Sequence, residues 1–201
     1  MISKHPSQTN PENPDKKTSI ALTDQEKRFL VEYSRRVLID YTTQRQTPDI
    51  ISHGRLDTMK RGAFVTLYKK NNLRGCIGYI EPIKTCLEAV RDNTISAAAR
   101  DPRFSVVIPG ELDDITIEIS ILTPPEAIDS WRDIEIGKHG IILEKGHNRS
   151  VFLPQVPVEQ QWDLEQTLSH LSQKAGLPSD AWQRNARFHV FEADVFNEST
   201  N

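Results

Sequence analysis

The sequence predicts an α+β protein built on a largely antiparallel sheet flanked by helices. Three patterns predict it. Ile115, Ile117, Ile119 and Ile121 alternate with Thr116, Glu118 and Ser120, the period-two signature of a strand with one packed and one polar face. Phe29, Tyr33, Val37 and Tyr41 recur every four residues, joined by Leu30 and Leu38, which is helical spacing. Two β-rich runs, 62–68 and 73–80, are separated by Lys69-Lys-Asn-Asn72, a connection short enough to make an antiparallel hairpin.

In chain order, residues 1–20 carry Pro6, Pro11 and Pro14 among Asn, Ser and charged residues. So little to bury predicts a disordered tail, with the folded domain over 21–198. Thr23-Asp-Gln-Glu26 reads as a capping box opening a helix of about five turns that stops before Pro48. Residues 83–99 return to helical spacing (Ile83, Leu87, Val90) and end at Asp101-Pro102, because the residue before proline is disfavoured in the α region. Pro124-Pro125 closes the isoleucine strand. Segments 134–136, 141–143 and 151–153 read as short strands punctuated by Gly137, Gly140 and Gly146. A second amphipathic helix carries Leu164, Leu168 and Leu171, with Lys174 meeting its C-terminal dipole and Gly176 capping it. Residues 188–196 read as one strand buried in the sheet.

At 201 residues the chain should bury about 70% of its unfolded surface, enough for a core without staples. Lys+Arg 25 against Asp+Glu 28 gives a net charge of −3, so no general attraction to nucleic acid or anionic membrane is expected. Cys76 and Cys86 are not spaced as a CxxC pair and the histidines stand singly, so no metal site is expected and the compartment reads as cytoplasmic. No signal peptide, membrane span, GxGxxG, Ser-His-Asp set or other cofactor motif stands out.

The chemistry concentrates on 73–80. Alternation places Leu73, Gly75, Ile77 and Tyr79 on one face, with Leu73 and Ile77 suited to the core, and Arg74, Cys76, Gly78 and Ile80 on the other. Glycine within a strand marks a bulge or a close approach, so Gly75 and Gly78 suggest room around the sulfur. A free thiol titrates near about pH 8.5, and Arg74 would favour its anion. Cys76 is therefore either a reactive or ligand-contacting thiol or a small buried hydrophobe; no partner base is identifiable. Cys86, within a helical pattern, reads as core. In Asp101-Pro-Arg103-Phe104, Arg103 could grip an anion bidentately, or the Asp–Arg pair could brace the helix exit with Phe104 as core anchor. Glu118 could meet Arg74 or Arg103 across the sheet, or be solvated. Gly137-Lys-His-Gly140 reads as a tight turn with His139 exposed or bonded to backbone. The irregular apolar segment 154–157, with Trp162 beyond it, could line a pocket through Gln155 and Trp162, or be a packed connection.

Leu73-Arg-Gly-Cys-Ile-Gly78 resembles the hallmark of the AMMECR domain family, the AMME-syndrome candidate-region proteins, called AmmeMemoRadiSam system protein A in prokaryotes. Asp101-Pro-Arg-Phe104, the 117–125 stretch, Gly137-Lys-His-Gly140, Leu153-Pro-Gln-Val156, Trp162-Asp163 and Lys174-Ala-Gly-Leu177 resemble further family landmarks in order, covering residues 22–196. Gln161 departs from the smaller residue expected there. The resemblance implies two unequal subdomains, the larger containing both chain ends, and an association with MEMO-type and radical-SAM partners. It names no activity. The resulting expectation is a cytosolic binding or accessory module. Its cleft, among Arg74, Gly75, Gly78, Asp101, Arg103, Gln155 and Trp162, would take a small anionic, nucleotide-like or peptide ligand. The alternatives are an enzyme using Cys76 as nucleophile or redox thiol, and a non-catalytic scaffold.

Overall fold

The computed structural model describes residues 21–198, and the tail predicted over 1–20 lies outside them. Helix α1 (Asp24–Gln44) opens on the expected capping box, with the Thr23 hydroxyl accepting from Glu26 N–H and the Glu26 carboxylate accepting from Thr23 N–H. It ends at Arg45, which takes a left-handed φ of 57°. Strands β1 (Gly62–Lys69) and β2 (Asn72–Tyr79) form the predicted hairpin around Lys70 and Asn71. Their φ values of 51° and 66° suit the right-handed twist of a two-residue hairpin turn. Helix α2 (Cys86–Ala99) starts on a second capping box at Thr85. Strand β3 (Ile115–Leu122) is the isoleucine strand, and β8 (Ala193–Asn197) completes a sheet of order β2-β1-β3-β8, antiparallel throughout. Ile115, Ile117, Ile119 and Ile121 join Leu30, Val37, Leu38, Val65, Leu67, Leu87 and Val90 in one core beneath α1 and α2. Each such buried aliphatic contributes about 1.5–3 kcal/mol.

The second sheet has the order β4-β7-β5-β6, from β4 (Glu126–Ile128), β5 (Gly140–Lys145), β6 (Asn148–Phe152) and β7 (Arg187–Phe191). It packs its own cluster, Ile141, Leu143, Phe188 and Val190, on Leu168 and Leu171 of α4 (Leu164–Lys174). Short helix α3 (Gln155–Glu159) precedes α4. A third cluster of Ile80, Leu122, Ile142 and Phe191 joins the sheets. The chain passes between them at two points that hold each other: Thr123 N–H donates to Glu192 C=O and Glu192 N–H to Thr123 Oγ1, both at 2.9 Å.

Four expectations need correction. The run 188–196 is not one strand: it breaks at Glu192, so its first half belongs to the second sheet and its second half to the first. Segment 134–136 forms no strand; Ile134 follows a 3-10 turn and Ile136 leads into the turn at Gly137. Segment 154–157 runs into α3 rather than being irregular. Leu73 leaves the core, 40% exposed, because a bulge pairs Leu67 with Gly75 but Tyr68 with Leu73. Arg74 is the extra residue, and one extra residue reverses the facing of everything before it.

Candidate functional site

The hairpin register builds the site. Cys76 pairs with Thr66 of β1, Thr66 with Glu118 of β3, and Glu118 with Asn197 of β8. These four positions form one row across the sheet, on the face opposite the isoleucine core. Cys76 N–H and C=O point off the free edge of β2, to Asp101 and Arg103. Cys76 and Thr66 are therefore a non-hydrogen-bonded pair, the type that brings side chains closest, and the Thr66 hydroxyl donates to Cys76 Sγ at 3.2 Å. The sulfur's residue is half-buried.

Behind the thiol, Asp101 is buried, its side chain 2% exposed. Its carboxylate accepts from Cys76 N–H at 2.9 Å and Arg103 N–H at 3.1 Å, and from Arg103 Nε and Nη2 at 2.9 and 2.7 Å. The Arg103 guanidinium holds this carboxyl well below the usual carboxylate range, with Cys76 N–H adding to the effect. The pair thus braces the exit of α2 and also substitutes for a missing neighbour strand at Cys76. Arg103 lies over its own Phe104 ring at 5.4 Å, and Phe104 is half-buried, so it is not the core anchor expected.

Arg74 is engaged elsewhere. Its Nε and Nη2 donate to both Glu111 oxygens at 3.0 and 2.9 Å, and its Nη1 to Ser105 C=O at 2.8 Å. Arg74, with Lys69 as a second partner, pulls Glu111 down to about 2. The glycines leave no vacant room. A Cβ on Gly75 would lie 2.2 Å from Ala97 C=O of α2, and one on Gly78 would lie 2.3 Å from Ala63 C=O and the Phe64 ring. Both admit protein atoms, not a ligand.

On the open face, Tyr68 Oη donates to Glu118 Oε1 at 3.4 Å. Glu118 meets neither Arg74 nor Arg103; burial pushes its carboxyl up, and the charge of Glu159 on α3 pushes it further. Burial likewise raises the Tyr68 phenol, with Glu118 and Cys76 adding. Beside this face, Gln155 and Glu159 of α3 line a hollow of about 490 Å³ together with Lys138, Val158, Glu192 and Val195. Gln155 is therefore at the hollow, whereas Trp162 is packed elsewhere, stacked on His170 at 4.0 Å and tilted against Phe152 at 5.8 Å. His139 accepts from Glu135 N–H at 3.1 Å, closing the Gly137–Gly140 turn. Lys174 donates to Val151 C=O at 2.8 Å and lies over Phe152, so it ties α4 to β6 rather than only meeting a dipole. Thr66, Tyr68 and Glu159 were not singled out from the sequence; the alternation in 62–68 offered Thr66 and Tyr68 a common face, but only the pairing register puts them beside the thiol. Among the described residues no group of three or more His, Cys, Asp or Glu could hold a metal, and no helix is long and apolar enough to cross a membrane.

A thiol-bearing hairpin edge, clamped by the Asp-Pro-Arg turn beyond α2, is the structural form of the hexapeptide block. A family model described as AMMECR1 matches residues 31–196.

The chain belongs to the AMMECR1 family.

Similar proteins include MJ0810 of Methanocaldococcus jannaschii, 45% identical over 88% of this chain and 92% of that one. MK0488 of Methanopyrus kandleri is 44% identical over 88% and 90%. Among solved structures, the uncharacterized protein PH0010 from Pyrococcus horikoshii is similar with a TM-score of 0.80 and 38% identity, over 88% of this chain and 93% of that one. Within this AMMECR1 chain the blocks sort by physical task. Arg74, Gly75 and Gly78 of the hexapeptide secure the strand, Cys76 presents the thiol, and the 101–104 turn braces it.

Proposed function

We propose that this chain is a binding module, with its site on the open face of the first sheet where Cys76, Thr66, Tyr68 and Glu118 meet the hollow under α3. The observation that carries this reading is the row Cys76–Thr66–Glu118. Side chains with hydrogen-bonding capacity are set in register, Cys76 and Glu118 half-buried and Thr66 buried, on a sheet whose β8 end, at Ala193 and Val195, borders a cavity large enough for a small organic molecule. Arg103, 55% exposed despite its bond to Asp101, supplies directional donors at the free edge of β2, beside Cys76. Arg74 is spent on Glu111 and supplies none. In a cell the module would present its ligand to MEMO-type and radical-SAM proteins.

A thermal-shift screen of small polar metabolites tests this. A compound that raises the melting temperature should lose most of its effect in both Gln155→Ala and Cys76→Ser; undiminished shifts in both variants would remove the site. A second reading, Cys76 as nucleophile, is favoured by the Thr66 hydroxyl directed at the sulfur. Against it, cross-strand neighbours stand about 5 Å apart, so Glu118 lies two strand spacings from the sulfur, too far to take its proton directly. The rate of iodoacetamide alkylation against pH separates the two: a midpoint well below about 8.5 supports the nucleophile. Co-purification with radical-SAM partners that is indifferent to Cys76→Ser supports a scaffold instead.

A further inference from the structure

We propose that the outer edge of β8 takes up an extended acidic peptide as a fifth strand of the first sheet. The inference goes beyond the binding reading above: it needs neither Cys76 nor Thr66, and shares with that reading only the hollow under α3. Strand β8 ends the sheet order β2-β1-β3-β8. One backbone bond closes each end of its pairing with β3: Thr123 N–H donates to Glu192 C=O at 2.9 Å, and Glu198 N–H donates to Ile117 C=O at 3.3 Å. Bonded positions alternate along an antiparallel pair, and the β3–β8 register runs without a shift. The even-numbered residues of β8 therefore bond to β3, while Ala193 and Val195 direct both N–H and C=O off the sheet. Among the described residues these groups find no partner. The opposite edge of the sheet is guarded, because Asp101 and Arg103 occupy the outward N–H and C=O of Cys76. An unguarded edge is a ready template for one more strand.

Both faces of this edge are concave at the same residues. On the open face, Ala193 and Val195 border the hollow under α3, whose Val158 and Val195 are 55% and 47% exposed. On the isoleucine face, Leu22, Ile121, Leu122 and Asp194 wall a second hollow of about 320 Å³ that also holds Lys27 and Arg61. The edge thus lies in a groove fit for a single strand. A strand laid antiparallel along β8 sends successive side chains to opposite faces. Residues opposite Ala193 and Val195 enter the hollow under α3, where apolar side chains gain by covering the valines. The residue between them enters the second hollow. There Lys27 is matched by Asp194 at 2.7 Å. Arg61 is not matched: among the described residues it has no carboxylate within ion-pair distance, its Nη1 donates to Lys60 C=O, and its Nε is buried without a partner. A glutamate at the central position supplies the missing countercharge and accepts charge-assisted hydrogen bonds. The occupant is a short strand of alternating apolar and acidic side chains.

The test titrates the ¹⁵N-labelled full chain with acetyl-Thr-Val-Glu-Val-Thr-amide, with the same peptide carrying lysine for glutamate, and with two N-methylated forms. At saturation the amide protons of Ala193 and Val195 should exchange with solvent roughly tenfold more slowly, while those of Asp194 and Phe196, bonded to β3, keep their rates. Methylation of both valines, whose N–H groups face β8, should abolish binding; methylation of the glutamate, whose N–H faces away, should not. The lysine peptide should bind at least roughly tenfold more weakly, and Arg61→Gln should remove that preference. Val195→Pro withdraws an N–H that the β3 ladder does not use, and should lose the peptide while keeping the Asp194 and Phe196 signals. No protection of Ala193 and Val195, or binding indifferent to the methylation pattern or to Val195→Pro, overturns the strand addition. A lysine peptide that binds equally well overturns the acidic assignment. Protection that rises with protein concentration without peptide gives the edge to a second copy and overturns the peptide. The dependence of a thermal-shift ligand on Gln155 and Cys76 is read separately, so either site can fail without the other.

Discussion

Removing the Asp101 carboxylate should unfasten the edge of β2. Four hydrogen bonds end on it, two from the backbone N–H groups of Cys76 and Arg103 and two from the Arg103 guanidinium. The guanidinium is 55% exposed, so water replaces its half of the interaction and that half is discounted. The backbone donors have no such recourse. Leaving a part-buried donor without its acceptor costs about 1–3 kcal/mol, and with two such donors Asp101→Ala should therefore cost about 2–6 kcal/mol. For a protein of this size each kcal/mol lowers the melting temperature by about 2–4 °C, giving a loss near 10 °C by circular dichroism at pH 7. Arg103→Ala should cost only about 1 kcal/mol, since Asp101 keeps both backbone donors. The sign of the pH dependence follows from the lowered Asp101 carboxyl. Its contribution is complete above the unfolded value of about 3.9 and is lost as pH falls below it, so the gap between wild type and Asp101→Ala should close in acid. Cys76 should alkylate faster in Asp101→Ala because its strand edge is released. A variant melting within 2 °C of wild type, with unchanged alkylation, would refute the bracing role.

Three further outcomes are expected. Native protein should take up one equivalent of iodoacetamide, at Cys76, because Cys86 is fully buried and burial pushes its thiol up to about 11; mass spectrometry showing Cys86 labelled without denaturant would contradict the packing of α2. Gly75→Ala should destabilise by about 3 kcal/mol or more, the cost of overpacking against backbone that cannot yield, since the new Cβ would meet Ala97 C=O at 2.2 Å; a normal melting curve would show that α2 and β2 can separate. Arg74→Ala should cost about 1.5–3 kcal/mol, because Glu111, whose side chain is only 13% exposed, loses its two-pronged partner but keeps Lys69 at 2.9 Å. Because Arg74 is the main group holding Glu111 down to about 2, that penalty should shrink as pH falls from about 4 towards 2, where protonation removes the charge that Arg74 had matched. Acid melts in which the penalty grows would invert the assignment.

Most of the first sheet and its helices were legible because each element carried its own local chemistry: a capping box at Thr23, a short hairpin connection and four alternating isoleucines; β8 was not, because it read as the end of one longer strand. The site was half legible. Cys76 could be picked out from its flanking glycines, and Asp101 with Arg103 from a rigid turn, but the reasons differed from those the sequence offered. Gly75 and Gly78 make room for α2 and Phe64. Arg74 looked like a thiol partner under strict alternation, and the bulge moved it to Glu111. A bulge has no reliable mark in a single strand, because it is a property of the pair.

Local patterns by themselves determined the long helices, the β1–β2 hairpin and β3, which face of β3 is apolar, and that one cysteine sits on a strand between glycines while the other sits in a helix. These depend on neighbours within a turn or two, where backbone sterics and side-chain period act directly. Only the tertiary structure decided that 188–196 divides between two sheets, that Thr66 and Glu118 share a row with Cys76, and that α3 brings Glu159 to a hollow bordered by Val195 of β8. Those neighbours are tens of residues apart in the chain. Their meeting is set by register and by the burial of two separate apolar clusters joined by a third, and no local preference encodes it.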